Sequence, residues 1–176
     1  MAAVAAALAF EPLRLRYAFY RVANTDYRST DPLNRGRWLL LSMDAAKQGN
    51  PRAMDLLVDR YDVTIARPTS QGIELPSVGY LVALEQPQVF MRTLDSRSDE
   101  RTLAILWRLN RSLYEGQAPY WPVLKDDRDT ARFLVQHLEH LAQCHAREGR
   151  QPQNLLAQEA AAYVRRRFKV PQPTKK

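Results

Sequence analysis

All three histidines and the only cysteine of this 176-residue chain lie close together, as His137, His140, Cys144 and His145. On a helix, positions 137, 140 and 144 stand at i, i+3 and i+7 and share a face, an arrangement that could offer imidazole nitrogens and a thiolate to zinc. Structural zinc, however, takes four protein ligands, usually from loop knuckles, and one helix rarely presents three in good geometry. The sequence therefore predicts no bound metal, with Cys144 as a small core residue and the histidines at the solvent boundary. Nucleophilic catalysis by Cys144 would need an activating base at an accessible site, whereas a mid-helix position among apolar neighbours predicts an inert thiol.

A second cluster is ionic. Arg165, Arg166, Arg167 and Lys169 form a run that Lys175 and Lys176 extend. Residues 147–176 carry a net charge of +6, and the other residues only +1 of the total +7. Basicity thus belongs to the C-terminal segment, which would attract phosphate backbones, anionic lipid or an acidic protein face. Three adjacent arginines on a helix cannot all point inward, so at least two are expected to face solvent or a partner. The same cations also complement the negative end of a helix dipole without any ligand. Tyr120 and Trp121, flanked by Pro119 and Pro122, offer either a stacking surface for bases or a corner locking two helices. Asp126, Asp127 and Asp129 are accounted for by capping, without a cation. No phosphate-binding loop, dinucleotide turn, nucleophile elbow or zinc-protease motif occurs, so neither catalysis nor a cofactor is expected.

The elements that position these residues read as helices. Asp31 and Pro32 open a helix that runs to about Gln48, with an N-cap followed by proline at the first helical position. Gly49 ends it, Asn50 caps the next and Pro51 opens that helix, near 51–62. Ala53, Leu57 and Tyr61, with Met54 and Val58, give the second helix an apolar stripe against Trp38, Leu41 and Ala45 of the first. A helix capped by Ser98 presents Leu103, Leu106, Trp107 and Leu113. Another runs from Asp126 and Asp127 to Gly149 through Phe133, Leu134, Leu138 and Leu141, and a last covers about 152–168. Residues 12–23 fit strand or helix spacing, with helix favoured. In 62–95, Pro68, Pro76 and Pro87 with Gly72 and Gly79 predict an irregular connection carrying short elements, and Val78 to Leu84 reads as a short strand or a helical turn.

The turn region reads Ala45-Ala46-Lys47-Gln48-Gly49-Asn50-Pro51-Arg52-Ala53-Met54-Asp55-Leu56-Leu57 and closes at Tyr61. It resembles the centre of a Sel1-like repeat, a relative of the tetratricopeptide repeats, over about residues 35–61. Trp38, Ala45, Ala46, Gly49, Ala53, Leu57 and Tyr61 match its pattern. Small residues at these places let two helices approach closely, and Gly supplies the turn's positive φ. A solenoid of this kind ordinarily needs about three or more copies, and only Ala146-Arg147-Glu148-Gly149 loosely echoes the first. The resemblance implies a protein-interaction module, an adaptor or a structural subunit of a larger assembly, whose partners are other protein subunits.

The expected fold is therefore all-α, a helical-hairpin array or irregular bundle, as one domain over 1–170 with an Ala-rich N-terminal arm (1–11) and a disordered basic tail (171–176). The alternative function is an accessory protein that contacts nucleic acid through the C-terminal basic helix. A single cysteine excludes an intramolecular disulfide and favours a reducing compartment, hence the cytoplasm. The alternative is export, if Met1–Ala9 is the remnant of a signal peptide.

Overall fold

Every regular element among the described residues is helical in the computed structural model, which describes residues 2–24, 32–61, 63, 77–114 and 126–172. The helices are α1 (Ala2–Asn24), α2 (Pro32–Lys47), α3 (Pro51–Tyr61), α4 (Val78–Glu85), α5 (Pro87–Thr93), α6 (Asp99–Leu113), α7 (Asp127–Arg147) and α8 (Gln151–Phe168), with a 3-10 turn at Leu94–Ser96. The all-α expectation holds. The strand alternative for 12–23 fails, because Ala18, Phe19 and Val22 are buried at helical spacing.

The predicted turn closes as a Schellman motif. Gly49 sits at φ 85°, its N–H donates to Ala46 O at 2.9 Å, and Asn50 N–H donates to Ala45 O at 2.9 Å. These two bonds satisfy carbonyls that the end of α2 would otherwise leave open. The Asn50 side chain then accepts from Arg52 N and Ala53 N, each at 3.1 Å, and starts α3. Ala45, Ala46, Ala53 and Leu57 are buried; Trp38 and Tyr61 pack half-buried against the same core. Tyr17 of α1 meets Trp38 edge-on, with ring centroids 5.0 Å apart.

The loose echo at Gly149 has the same geometry. Gly149 lies at φ 72°, its N–H donates to Ala146 O at 3.3 Å, and Arg150 N–H donates to His145 O at 2.8 Å. The α7–α8 pair is thus a second helical hairpin closed by the same motif. A Cβ added at Gly49 would come no closer than 3.8 Å to Val89 Cγ2, and one at Gly149 would meet nothing within 4 Å. Substitution at either place is therefore opposed by backbone conformation alone. Gly49→Ala and Gly149→Ala should each lower the free energy of unfolding by about 1–2 kcal/mol in urea titrations, with no change in helical content.

In the described part of the expected irregular connection the short elements are helices, and the helical alternative for Val78 to Leu84 holds. Residues 64–76 lie outside the described residues, but 78–96 form α4, α5 and the 3-10 turn. Pro87 opens α5 at its first turn, where a missing N–H costs nothing. Ser77 caps α4 by accepting from Tyr80 N. Helix α4 shows no clear apolar period because it is wedged among α2, α3, α5 and α8, with Gly79, Tyr80, Val82 and Ala83 buried. A helix covered on most sides has no polar face to reveal it. Gln86, between α4 and α5, donates from Nε2 to Lys47 O at 2.7 Å and so caps α2 as well.

Together α4 and α5 join the hairpins. α5 packs on both α3 and α8, and α6 closes the far side against α7 and α8. One continuous apolar core runs from Phe19 of α1 to Val164 of α8.

Candidate functional site

The arginine run at the end of α8 is not the exposed patch that its sequence suggests. Arg165 donates from Nε and Nη2 to Glu139 Oε1 of α7, at 3.0 and 2.7 Å, and from Nη1 to Pro171 O. Arg167 donates from Nε to Asp99 Oδ1 at 2.8 Å. Its Nη1 reaches both Leu94 O and the Tyr163 hydroxyl at 2.7 Å, and its Nη2 reaches Arg97 O at 2.5 Å. The side chains of Arg165 and Arg167 are only 15% and 18% exposed. Two of the three arginines therefore face the protein, against the expectation that at least two face outward. The reason lies beside α8: Glu139 stands on one flank, and on the other Leu94 O, Arg97 O and Asp99 lie where one forked guanidinium can bind all three. Arg166 and Lys169 are exposed; Lys175 and Lys176 lie outside the described residues.

Burial opposes the charge on Arg167, yet its hydrogen bonds to Tyr163 and Asp99 outweigh that and hold its pKa above the ordinary guanidinium value. Burial raises the pKa of the Tyr163 phenol. A second buried arginine locks the same corner from the other side. Arg97 pairs with Asp55 Oδ1 at 2.6 Å and Asp59 Oδ1 at 3.0 Å, both on α3, and donates to Thr93 O. Asp59 also binds Arg101 at 2.8 Å. The corner between α5 and α6 is thus tied to α3 by Arg97 and to α8 by Arg167.

Beside this corner, α5 and α8 enclose a groove of about 490 Å³ lined by Gln88, Met91, Arg92, Asp95, Glu159, Tyr163, Arg166 and Arg167. Its walls are the short α5 and the long α8 packed against each other, so its side chains start from fixed backbone positions. Sequence reading missed Arg92, Asp95 and Tyr163 because nothing local joins 92 to 163; only the packing of α5 on α8 does. Comparison with known proteins finds no matching family model, no matching curated sequence and no matching solved structure.

The histidine and cysteine cluster separates into distinct environments. His145, expected at the solvent boundary, is instead buried, and its Nε2–H donates to Leu113 O at 3.0 Å. It ties α7 to the last turn of α6, where a carbonyl needs a donor. His140 is exposed and places Nε2 3.5 Å from Cys144 Sγ; Cys144 is half-buried. His137 turns the other way, sharing a 2.8 Å hydrogen bond between Nδ1 and the Tyr114 hydroxyl and stacking on Phe133 at 4.0 Å between centroids. Trp107 stacks on the far face of this group at 5.4 Å from Phe133. Among the described residues no three of His, Cys, Asp and Glu are grouped to hold a metal ion. Tyr120 and Trp121 lie outside the described residues.

Burial, and then the neighbouring His140 charge, push the pKa of His137 below the ordinary imidazole value of 6.5. A base with a lowered folded pKa binds fewer protons folded than unfolded in the window between the two values. Stability should therefore be fully present above pH 6.5 and fall as the pH drops toward the lowered value. His137→Phe should flatten that part of a stability-versus-pH curve measured by urea unfolding, and NMR titration should find the His137 ring titrating below pH 6.5.

Proposed function

We propose that this chain is a non-enzymatic protein-interaction adaptor or structural subunit of a larger assembly, whose partners are other proteins. The observation that carries this reading is the pairing of two helical hairpins, α2–α3 and α7–α8, closed by the same Schellman geometry at Gly49 and Gly149. Stacked hairpins with small residues at their turns create extended, rigid surfaces suited to holding other chains. The Sel1-like pattern from Trp38 to Tyr61 agrees with such a role, and α4, α5 and α6 lie between the hairpins. The cytoplasm is the compartment that suits a single unpaired cysteine. No helix among the described residues is long and apolar enough to cross a membrane.

The nucleic-acid alternative loses support from Arg165 and Arg167, whose charges are answered within the fold. Of its candidate contacts, Arg166 and Lys169 are the exposed ones among the described residues. Affinity capture of the full chain from its native source, followed by size-exclusion chromatography of the recovered material, tests the proposal. A protein partner should co-elute with the chain in fixed proportion. A monomer that recovers no protein overturns it.

A further inference from the structure

The charged side chains of the α5/α8 groove differ in whether the fold engages them. Of its two carboxylates, Glu159 accepts from Gln88 Nε2 at 3.1 Å, and Asp95 stands near enough to the Tyr163 hydroxyl to help raise the phenol's pKa. Arg167 is answered by Asp99. Arg92 on α5 and Arg166 on α8 are both exposed, and among the described residues no carboxylate lies within ion-pair distance of either. The groove thus carries one arginine on each side that, among the described residues, no group of the fold engages.

We propose that this groove binds an acidic segment of a partner protein, with Arg92 and Arg166 holding its side-chain carboxylates from opposite walls. The assignment rests on the protein-interaction reading above and names the chemistry of the partner. A guanidinium fork matches the two oxygens of a carboxylate and forms parallel charge-assisted hydrogen bonds with it. The groove is partly open to solvent and is not an enclosed cavity, as fits a chain laid between two helices more than a small metabolite buried on most of its surface. Nucleic acid fits less well. The only aromatic residue in the lining is Tyr163, which is 4% exposed with its hydroxyl tied to Arg167, so unpaired bases find no ring to stack on.

Selection of short random peptides displayed on phage, run in parallel against the full wild-type chain and the Arg92→Glu/Arg166→Glu double variant, tests this. Wild-type protein should enrich peptides carrying at least two Asp or Glu residues. A fluorescent copy of an enriched peptide should lose affinity by at least about ten-fold in the double variant and weaken steeply with salt. Arg92→Lys/Arg166→Lys should retain part of the binding, and thermal melting should not change, because both side chains are exposed. Enrichment of neutral or basic peptides, no enrichment, or equal binding to the double variant overturns the assignment. So does a labelled single-stranded oligonucleotide of matched charge that binds more tightly than the peptide and is lost in the same variant. If native capture recovers the same partner with wild-type and double-variant protein, the scaffold reading stands and the groove assignment alone falls.

Discussion

Arg167→Met is expected to lower the free energy of unfolding by about 2–4 kcal/mol, while Arg166→Met, at the next residue, changes it by less than about 0.5 kcal/mol. Methionine keeps the unbranched apolar stem, so the difference isolates the guanidinium. Removing that group takes from Arg97 O and the Tyr163 hydroxyl the donor that Arg167 supplies, and from Leu94 O one of three, since Arg97 N–H and the Thr102 hydroxyl also donate to it. Asp99 is mostly exposed and simply returns to water, which keeps the loss below that of a fully buried ion pair. For a chain of this size the expected loss corresponds to a melting temperature lower by about 5–10 °C. Urea titration of both variants provides the comparison. Equal and small effects would mean that the end of α8 is not clasped to the 3-10 corner. Arg97→Met should couple to Arg167→Met by about 0.5–3 kcal/mol in a double-mutant cycle, since both arginines hold the same short turn.

That contrast also marks where sequence reasoning stopped. Caps and turns were legible because their determinants are local. Gly49 with Asn50 and Pro51, Ser98 ahead of α6, and Asp126, whose side chain accepts from Asp129 N at 2.7 Å, all act within a few residues of themselves. The hairpin core from Ala45 to Leu57 was legible for the same reason, since its period is written into one segment. Arg165, Arg166 and Arg167 look alike in sequence, and their roles are set by residues 26 to 73 positions away. Helix α4 was obscured by its own burial, and Pro87 was read as a breaker although it begins a helix. Nothing near His145 in sequence separates it from the other histidines at the solvent boundary, because the backbone carbonyl that draws it inward belongs to Leu113 of another helix. The groove was invisible in sequence because Arg92 and Arg166 become neighbours only through the docking of α5 on α8. Local chemistry fixes where helices start and stop; long-range packing decides which of several identical side chains remain available to a partner.

Asn110→Leu is expected to raise the free energy of unfolding by about 1–3 kcal/mol. Asn110 is fully buried in α6, and neither its Oδ1 nor its Nδ2 has a hydrogen-bond partner among the described residues. The other buried polar side chains on that helix are provided for: Ser112 donates to Val63 O at 2.8 Å, and Thr102 donates to Leu94 O at 3.4 Å. A buried amide without partners has given up its hydration for nothing in return, and that penalty is what the leucine removes. Leucine branches at the same atom as asparagine, so it fills nearly the same shape, and the small excess of volume trims the gain without reversing it. Urea unfolding of Asn110→Leu and Asn110→Ala separates the possibilities. The leucine variant should be more stable than wild type and the alanine variant near it, because alanine exchanges the polar penalty for a small cavity. A leucine variant less stable by more than about 1 kcal/mol would show that the amide is held by a partner such as a buried water, and that α6 owes part of its placement to that contact.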